Sequence, residues 1–175
     1  MNEHSLPSLL DTVWQHILRG KADRKHPARH PTLATIGANG PELRTLVLRR
    51  ADRATATLEL HTDDASPKAT EIANDPRTAL HIWIPKANLQ IRARATAELT
   101  QGDPDLFAQL PPDAQANYQG PIPGTPLPTE APDTAPRFAQ ITLTLTEIDA
   151  LLLATPHQRA LYTRAKNWHG TWIAP

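Results

Sequence analysis

Hydrophobic and polar positions along the chain predict one amphipathic helix followed by a series of short strands. Residues 6–18 carry apolar side chains three and four positions apart, the spacing of a helix with one buried face. Ser8 and Asp11 are its candidate N-terminal caps. We therefore predict an N-terminal helix over residues 6–19, followed by a basic, polar loop.

From residue 32 onwards the pattern changes to β-rich runs separated by turn residues. Residues 32–36 and 43–48 flank the Asn39-Gly40 pair, which predicts a hairpin. Three further strands are predicted, over residues 54–61, 78–84 and 89–99. Near the C-terminus, the runs QITLTLTEI, LLL, RALYTR and TWI predict the remaining strands.

The predicted helices after the first one are short. Ser66 suits an N-cap and Pro67 a first helical position, which predicts a helix over residues 68–73. Residues 103–110 predict another, and residues 111–136 form a proline-rich loop with one helical turn near Asp113. The chain has neither βαβ repeats nor a GxGxxG motif, so a mostly antiparallel closed barrel is favoured over a Rossmann fold.

Composition narrows the class of protein. A length of 175 residues suits a single domain over residues 1–175. Lys+Arg and Asp+Glu balance at 18 each, so the overall charge favours neither nucleic acid nor an anionic membrane as a partner. We expect no membrane span and no secretion signal. The absence of cysteine excludes disulfides and thiolate metal sites, and suits a cytoplasmic protein.

Two histidines in the basic loop have the spacing of a metal-binding pair. His26 and His30 are four residues apart, but this spacing brings ligands together only on a helix. Pro27 and Pro31 disfavour a helix there. We therefore interpret both histidines as part of a solvated loop and predict no metal site.

The segment that links the strand over residues 54–61 to the helix over residues 68–73 has the residues of a phosphate-binding turn. Thr62 and Ser66 offer hydroxyl donors, and Lys68 offers a positive charge at the start of a helix. Arg44 and Arg49, on the preceding hairpin strand, are candidate additional cations. The alternative is an ordinary capped helix with a solvated lysine.

An ordered series of motifs resembles the pyridoxamine 5′-phosphate oxidase family. The series begins with RTLVLR (residues 44–49), continues with HTDDASPKATEI (residues 61–72) and NDPR (residues 74–77), and reaches LQIR (residues 89–92) after a strand that carries Trp83. It resumes near the C-terminus with PHQRALYTRAKNWHGTWIAP (residues 156–175). The resemblance implies a flavin mononucleotide (FMN)-binding split β-barrel, antiparallel and Greek-key-like, mostly β with a few short helices. It also implies a homodimer with FMN at the subunit interface.

Carried over position by position, the resemblance assigns cofactor-binding roles along the chain. Arg49 falls where these oxidases have a lysine that faces the substrate phosphate, His61-Thr62 replaces a Tyr-Thr pair, and Gln90 matches a glutamine at the flavin ring. His157 matches a histidine near the substrate and is the candidate catalytic residue. The implied cofactor-binding set is Arg44, Thr45, Leu46, Val47, Arg49, His61, Thr62, Ser66, Lys68, Gln90 and Arg159.

The substrate side departs from the family pattern. The oxidases have an arginine and a serine in a Phe-x-x-Arg-Pro-x-x-Ser segment, and these positions hold Leu110 and Ala114 here. Two more arginines are replaced by Thr155 and Trp172, and Pro67 replaces an arginine of the FMN phosphate turn. Apolar side chains cannot neutralise a phosphate dianion, so we expect the vitamin B6 phosphate substrate to be lost.

Several functions remain open from the sequence. The first is an FMN-dependent oxidoreductase, either an oxidase or a reductase, that acts on an unidentified and less anionic small molecule. The alternative is a non-catalytic FMN carrier or sensor. The same barrel could instead hold a deazaflavin or a haem, with His61 and His157 as haem ligands, or it could bind no cofactor at all.

Overall fold

The computed structural model describes residues 5–129 and 135–175 and has four α-helices in these two segments. Helix α1 begins after Ser5, whose hydroxyl accepts a hydrogen bond from the Ser8 N–H at 3.2 Å. The predicted caps Ser8 and Asp11 are therefore wrong, because the helix starts with Leu6 and Ser5 takes the capping position. The helix also continues three residues beyond the predicted end at residue 19. The helices span Leu6–Ala22 (α1), Pro67–Asn74 (α2), Pro104–Ala108 (α3) and Pro112–Gln115 (α4).

Nine strands in the described part of the chain form one antiparallel sheet. Its order is β2-β1-β5-β6-β7-β4-β3, with β8 paired to β7 and β9 paired to β8. The mostly antiparallel β fold with a few short helices is thus confirmed. The strands span Thr32–Gly37 (β1), Gly40–Thr45 (β2), Leu48–Asp52 (β3), Thr57–Asp63 (β4), Arg77–Ile84 (β5), Leu89–Gln101 (β6), Phe138–Leu152 (β7), Gln158–Thr163 (β8) and Gly170–Ile173 (β9).

The predicted strand over residues 43–48 is divided in the structure. The β1–β2 hairpin is present, but β2 ends at Thr45, and β3 then pairs with β4 instead of β1. The Leu46 N–H still donates to the Pro31 carbonyl at 3.0 Å, one step beyond the Thr32–Thr45 pair, so the chain leaves β1 only after Leu46. Arg44 and Arg49 consequently lie on different strands.

The longest strand, β7, lies inside the sheet and pairs with three other strands. It unites the predicted QITLTLTEI and LLL strands and pairs with β4, β6 and β8 along its length. Its inward side chains Ile141, Leu143 and Leu145 are fully buried, as the period-two alternation of a strand requires. Helix α1 packs against β3, β7 and β9 with Val13 and Trp14 buried.

The segment after α1 and the proline-rich segment contain short helical turns. A 3-10 helix over Pro27–Arg29 follows α1, and His26 is buried before it, so the prediction of a solvated His26 is wrong. His30 is exposed, as predicted. Of the proline-rich segment 111–136, residues 130–134 lie outside the described residues; the rest contains α4 and a 3-10 helix over Ala116–Tyr118. No helix among the described residues is long and apolar enough to span a membrane.

Candidate functional site

The turn between β4 and α2 brings two hydroxyls and one ammonium group together. The Oγ1 atom of Thr62 lies 3.0 Å from the Oγ atom of Ser66, and the Nζ atom of Lys68 donates to Thr62 Oγ1 at 3.2 Å. Thr62 and Ser66 are almost completely buried, whereas Lys68 is half-buried. These are the three residues that the sequence predicted for a phosphate-binding turn.

The backbone of this turn is fixed by Asp63. Its carboxylate accepts the Ala65 N–H at 2.8 Å, and its carbonyl accepts the Ser66 N–H at 3.1 Å. Ser66 occupies the N-cap position of α2, but its side chain makes no capping hydrogen bond. The predicted capping role of the Ser66 hydroxyl is therefore wrong, because that hydroxyl faces Thr62.

A second cation, Arg44, lies beside this turn and is already paired. Its guanidinium donates to Glu71 at 2.9 Å and to the hydroxyl of Thr35. Burial lowers the pKa of Lys68, and the nearby charge of Arg44 lowers it further, against the opposing effects of Asp63 and Glu71. The cluster thus carries two cations, one of which has a carboxylate partner.

Arg137 connects the turn to the proline-rich segment, a link that sequence reasoning missed. Its guanidinium makes a bidentate ion pair with the buried Asp63, with distances of 3.1 and 2.9 Å to the two carboxylate oxygens. The same guanidinium donates to the carbonyls of Gly120 and Pro121 at 3.1 and 3.4 Å. The Arg137 N–H donates to the Tyr118 carbonyl at 2.8 Å. Asp63 and Arg137 are 74 positions apart in sequence, so no local motif could have revealed their ion pair.

Two buried nitrogens beyond the turn have no hydrogen-bond partner within the described residues. They are the Nε atom of Arg49 on β3 and the Nδ1 atom of His61 on β4. The Nε2 atom of His61 contacts Glu59 at 3.1 Å. Burial lowers the pKa of His61, with the charge of Arg49 acting in the same direction and Glu59 opposing. Unsatisfied buried donors and acceptors are rare in folded proteins and mark positions where a ligand can bind.

An aromatic cluster covers these nitrogens. The ring of Phe138 lies edge-on to His61 at 4.8 Å and to Tyr118 at 5.0 Å, and Phe107 lies 5.6 Å away from Phe138. Burial raises the pKa of Tyr118. Arg49 opposes this shift through its positive charge and through a hydrogen bond to Tyr118. Leu110 and Ala114, the apolar replacements on the substrate side, follow Phe107 in the same segment and are partly buried.

The C-terminal candidates lie on a different part of the sheet. Arg159 makes a bidentate ion pair with the buried Asp149, at 3.0 and 2.7 Å, and Arg92 reaches the same carboxylate at 3.2 Å. Asp149 was not singled out in the sequence. His157 is exposed, and its Nδ1 atom donates to the Ala154 carbonyl at 2.7 Å.

The register of β7 separates the two groups of residues. Thr62 pairs with Ala139 near the start of β7, whereas Leu151 near its end pairs with both Gln90 and Arg159. Ala139 and Leu151 are twelve residues apart, and a strand rises about 3.3 Å per residue, so about 40 Å of strand lies between them. The turn and the pair Gln90 and Arg159 therefore border opposite ends of β7.

The remaining predicted cofactor residues border the turn between β2 and β3. Thr45 is exposed at the end of β2, and Leu46 and Val47 are partly buried in the connection to β3. In the described residues, no group of three or more His, Asp or Glu side chains has the arrangement of a metal site.

Comparisons with known proteins identify the family. The family described as "Pyridoxamine 5′-phosphate oxidase, FMN-binding domain" matches residues 11–101, more than half of the 175-residue chain. The chain belongs to this family. The match covers α1 from residue 11 onwards, the β4–α2 turn and the strands up to β6. A search of curated proteins found no match.

Solved structures of other members of this fold extend over nearly the whole chain. A pyridoxamine 5′-phosphate oxidase-related, FMN-binding protein from Nostoc punctiforme is 27% identical, with a TM-score of 0.77 over 94% of this chain and 96% of that one. PhzG from Burkholderia lata, solved with tetrahydrophenazine-1-carboxylic acid, is 17% identical, with a TM-score of 0.75 over 99% and 94% of the two chains. A protein related to general stress protein 26 from Clostridium acetobutylicum is 12% identical, with a TM-score of 0.61 over 93% and 98%. The split-barrel fold of the family is thereby confirmed.

Proposed function

We propose that this protein binds FMN, with the phosphate group at the β4–α2 turn, and acts as an FMN-dependent oxidoreductase. The observation that carries the proposal is the convergence of Lys68, Thr62 and Ser66 on one point at the end of β4. Membership of an FMN-binding family supports the same cofactor. Arg44 adds a second cation beside the turn.

The donor set fits a phosphate group. The Thr62 hydroxyl donates to the Asp63 carbonyl at 3.2 Å, so its contact with Ser66 uses the Ser66 hydroxyl proton, which a phosphate oxygen can accept in place of Thr62. Lys68 can exchange its contact with Thr62 for a charge-assisted bond to the phosphate. The net charge of Arg44, Lys68 and Glu71 together is one positive unit. This is less than the two positive units that would neutralise a phosphate dianion. Pro67 adds no charge, so we expect binding to depend strongly on Lys68.

We also propose that the complete site needs two copies of the chain. Gln90 and Arg159 lie at the far end of β7 from Thr62, which supports a site in which the two groups come from different copies of the chain. A homodimer in which the turn of one copy faces Gln90 and Arg159 of the other copy would complete the pocket. The bidentate ion pair with Asp149 fixes the orientation of Arg159, which supports a role in contacting the flavin of the other copy.

On the substrate side, Arg49, His61 and the aromatic cluster define the class of molecule that fits. FMN, when bound, supplies hydride or single-electron transfer. The partly buried guanidinium of Arg49 can bind one negatively charged or carbonyl group, and His61 Nδ1 offers a further hydrogen bond. Phe107, Tyr118 and Phe138 form an apolar wall for a planar ring. With Leu110 and Ala114 nearby, a substrate with at most one negative charge fits better than a phosphate ester.

A non-catalytic FMN carrier or sensor is the second candidate. His157, the candidate catalytic residue, is exposed, and its Nδ1–H is bonded to a backbone carbonyl. Stopped-flow absorbance would separate the two functions. An oxidoreductase should reduce its bound flavin with a nicotinamide donor, or reoxidise it with an acceptor, faster than free FMN reacts. Rates equal to those of free FMN with every donor and acceptor tried would favour the carrier or sensor.

The cofactor proposal is tested by titrating the apoprotein with FMN and following flavin fluorescence. We expect saturable quenching with one FMN per chain, and sedimentation should show a dimer. The absence of quenching would contradict FMN binding, whereas binding by a monomer would contradict the two-copy site alone.

A further inference from the structure

A cavity away from the proposed flavin site lies between the C-terminal part of α1 and the β5–β6 connection. Its volume is about 430 Å³, and Ile84 and Pro85 form part of its apolar wall. The 3-10 helix over Pro27–Arg29 borders the other side. None of the residues implied in flavin binding lines this cavity.

The charged residues that line the cavity are mainly cationic. Arg19 on α1, Lys25 before the 3-10 helix and Lys86 on the β5–β6 connection contribute three positive charges. Asp23 contributes one negative charge, and its carboxylate is held by the Lys25 N–H at 2.9 Å and faces Arg19 at 3.6 Å. The net charge of the lining is therefore about two positive units with both lining histidines neutral.

A stacked pair of histidines forms part of the lining. The rings of His16 and His26 are 5.3 Å apart and nearly parallel, and the Nδ1 atom of His16 lies 3.2 Å from the Nε2 atom of His26. The Nδ1 atom of His26 accepts the Ala28 N–H at 3.2 Å. His26 must therefore carry its proton on Nε2 and donate it to His16.

This chain of hydrogen bonds determines what the pair offers to a ligand. Because Nδ1 of His16 is the acceptor, neutral His16 carries its proton on Nε2, where it is a free donor. An additional proton could enter only at a nitrogen that already accepts a hydrogen bond, so protonation breaks one of the two contacts. Burial lowers the pKa of both histidines; the facing charges are Arg19, Lys25 and Lys86, against Asp23.

We propose that this cavity binds a compact dianion, either a phosphate monoester or a small dicarboxylate. Two net positive charges match a dianion, and His16 Nε2–H adds a directional donor. The apolar wall gives room for a small organic body attached to the anion. A dianion would favour an added proton on the histidine pair, so binding should strengthen as the pH falls.

The test uses sulfate as the first probe, because sulfate keeps its two charges across the relevant pH range. NMR spectra of the imidazole groups in the complete protein should show saturable shifts of His16 and His26 with sulfate at constant ionic strength. We expect Lys86→Gln to weaken binding about tenfold, as the loss of one charge-assisted contact predicts. The matched control Lys21→Gln removes an exposed lysine of α1 that does not line the cavity, and should leave the affinity unchanged.

Two further experiments determine which dianion binds and whether the histidines take part. Tighter binding of inorganic phosphate than of succinate would assign a phosphate monoester, and the reverse order would assign a dicarboxylate. His16→Gln should remove the gain in sulfate affinity between about pH 8 and about pH 6. The absence of saturation, or equal affinities for Lys86→Gln and Lys21→Gln, would overturn the proposal. A pH-dependent gain that survives in the double change His16→Gln with His26→Gln would exclude the histidine pair from the site.

Discussion

The β4–α2 turn and the aromatic cluster around Arg49 differ in how completely their polar groups are bonded. In the turn, the side chains of Thr62, Ser66 and Lys68 bond to one another, and Asp63 holds the backbone. In the cluster, Arg49 Nε and His61 Nδ1 are buried without a partner in the described structure. The polar side chains of the turn are thus bonded to one another, whereas the cluster contains two buried nitrogens without a partner among the described residues.

The two regions also differ in how they are built from the sequence. The turn comes from one segment, residues 61–71, so its residue types and spacing predict a phosphate site locally. The cluster draws on β3, β4, α3, the 3-10 helix over Ala116–Tyr118 and the start of β7. Its identity therefore depends on the fold and not on one local motif.

The largest expected effect comes from removing the ammonium group of the turn. Lys68→Ala should raise the dissociation constant for FMN about 10- to 100-fold, because a charge-assisted hydrogen bond to phosphate is lost. Fluorescence titration of the apoprotein measures this change. Lys166→Ala, which removes an exposed lysine near β9, is the control and should bind FMN like the unchanged protein. Equal affinities for the two variants would place the phosphate elsewhere.

A smaller loss is expected when the connection between turn and proline-rich segment is broken. Asp63→Asn removes the charge that pairs with Arg137, so the turn should lose its fixed geometry and FMN affinity should fall about tenfold. Limited proteolysis should also become faster around Gly120, whose carbonyl Arg137 holds. The neighbouring exposed Asp64→Asn is the matched control. Unchanged affinity and proteolysis in Asp63→Asn would show that the connection has no role in the site.

The substrate side can be altered separately. The double change Leu110→Arg with Ala114→Ser restores the residue types of the oxidases and should raise affinity for pyridoxamine 5′-phosphate about tenfold. FMN affinity should stay the same, because the turn is untouched. Inhibition or binding assays on the FMN-loaded protein measure the gain. A simultaneous change in FMN affinity would show that the two regions are not independent.

The smallest effect is a dependence of stability on pH. The pKa values of His16, His26 and His61 are lowered by burial, so between the lowered values and about 6.5 the unfolded chain binds more protons than the folded one. The free energy of unfolding should therefore decrease as the pH falls through this window. Urea denaturation of the apoprotein at several pH values measures the slope, and His61→Gln should make it shallower. A slope that does not change in His61→Gln would contradict the burial of that ring.

Local patterns predicted the elements of this protein better than the contacts among them. The β1–β2 hairpin followed from Asn39-Gly40, and the β4–α2 turn from Ser66-Pro67. The division at Leu46 could not be predicted, because residues 43–48 form one continuous β-rich run and only the pairing of β3 with β4 separates the two strands. The sequence also offered no signal for the Ser5 cap over Ser8, since both residue types cap helices.

In the candidate site too, contacts between residues close in sequence were predicted and contacts between distant residues were not. Thr62, Ser66 and Lys68 are close in sequence and close in space. Asp63 with Arg137 and Arg159 with Asp149 depend on strand register, which residue types alone do not determine. His26 was assigned to solvent because Pro27 and Pro31 disfavour a helix there, but Pro27 begins a 3-10 helix, and His26 lies before it against His16.

The most direct test of the account is the flavin content of freshly purified protein, measured by its absorption spectrum and by identification of the released cofactor. The account predicts a yellow protein that releases FMN, approaching one molecule per chain after reconstitution, with a marked loss in Lys68→Ala. A colourless protein that takes up no added FMN, or one whose FMN content is unaffected by Lys68→Ala, would contradict the assignment of the β4–α2 turn as the phosphate site.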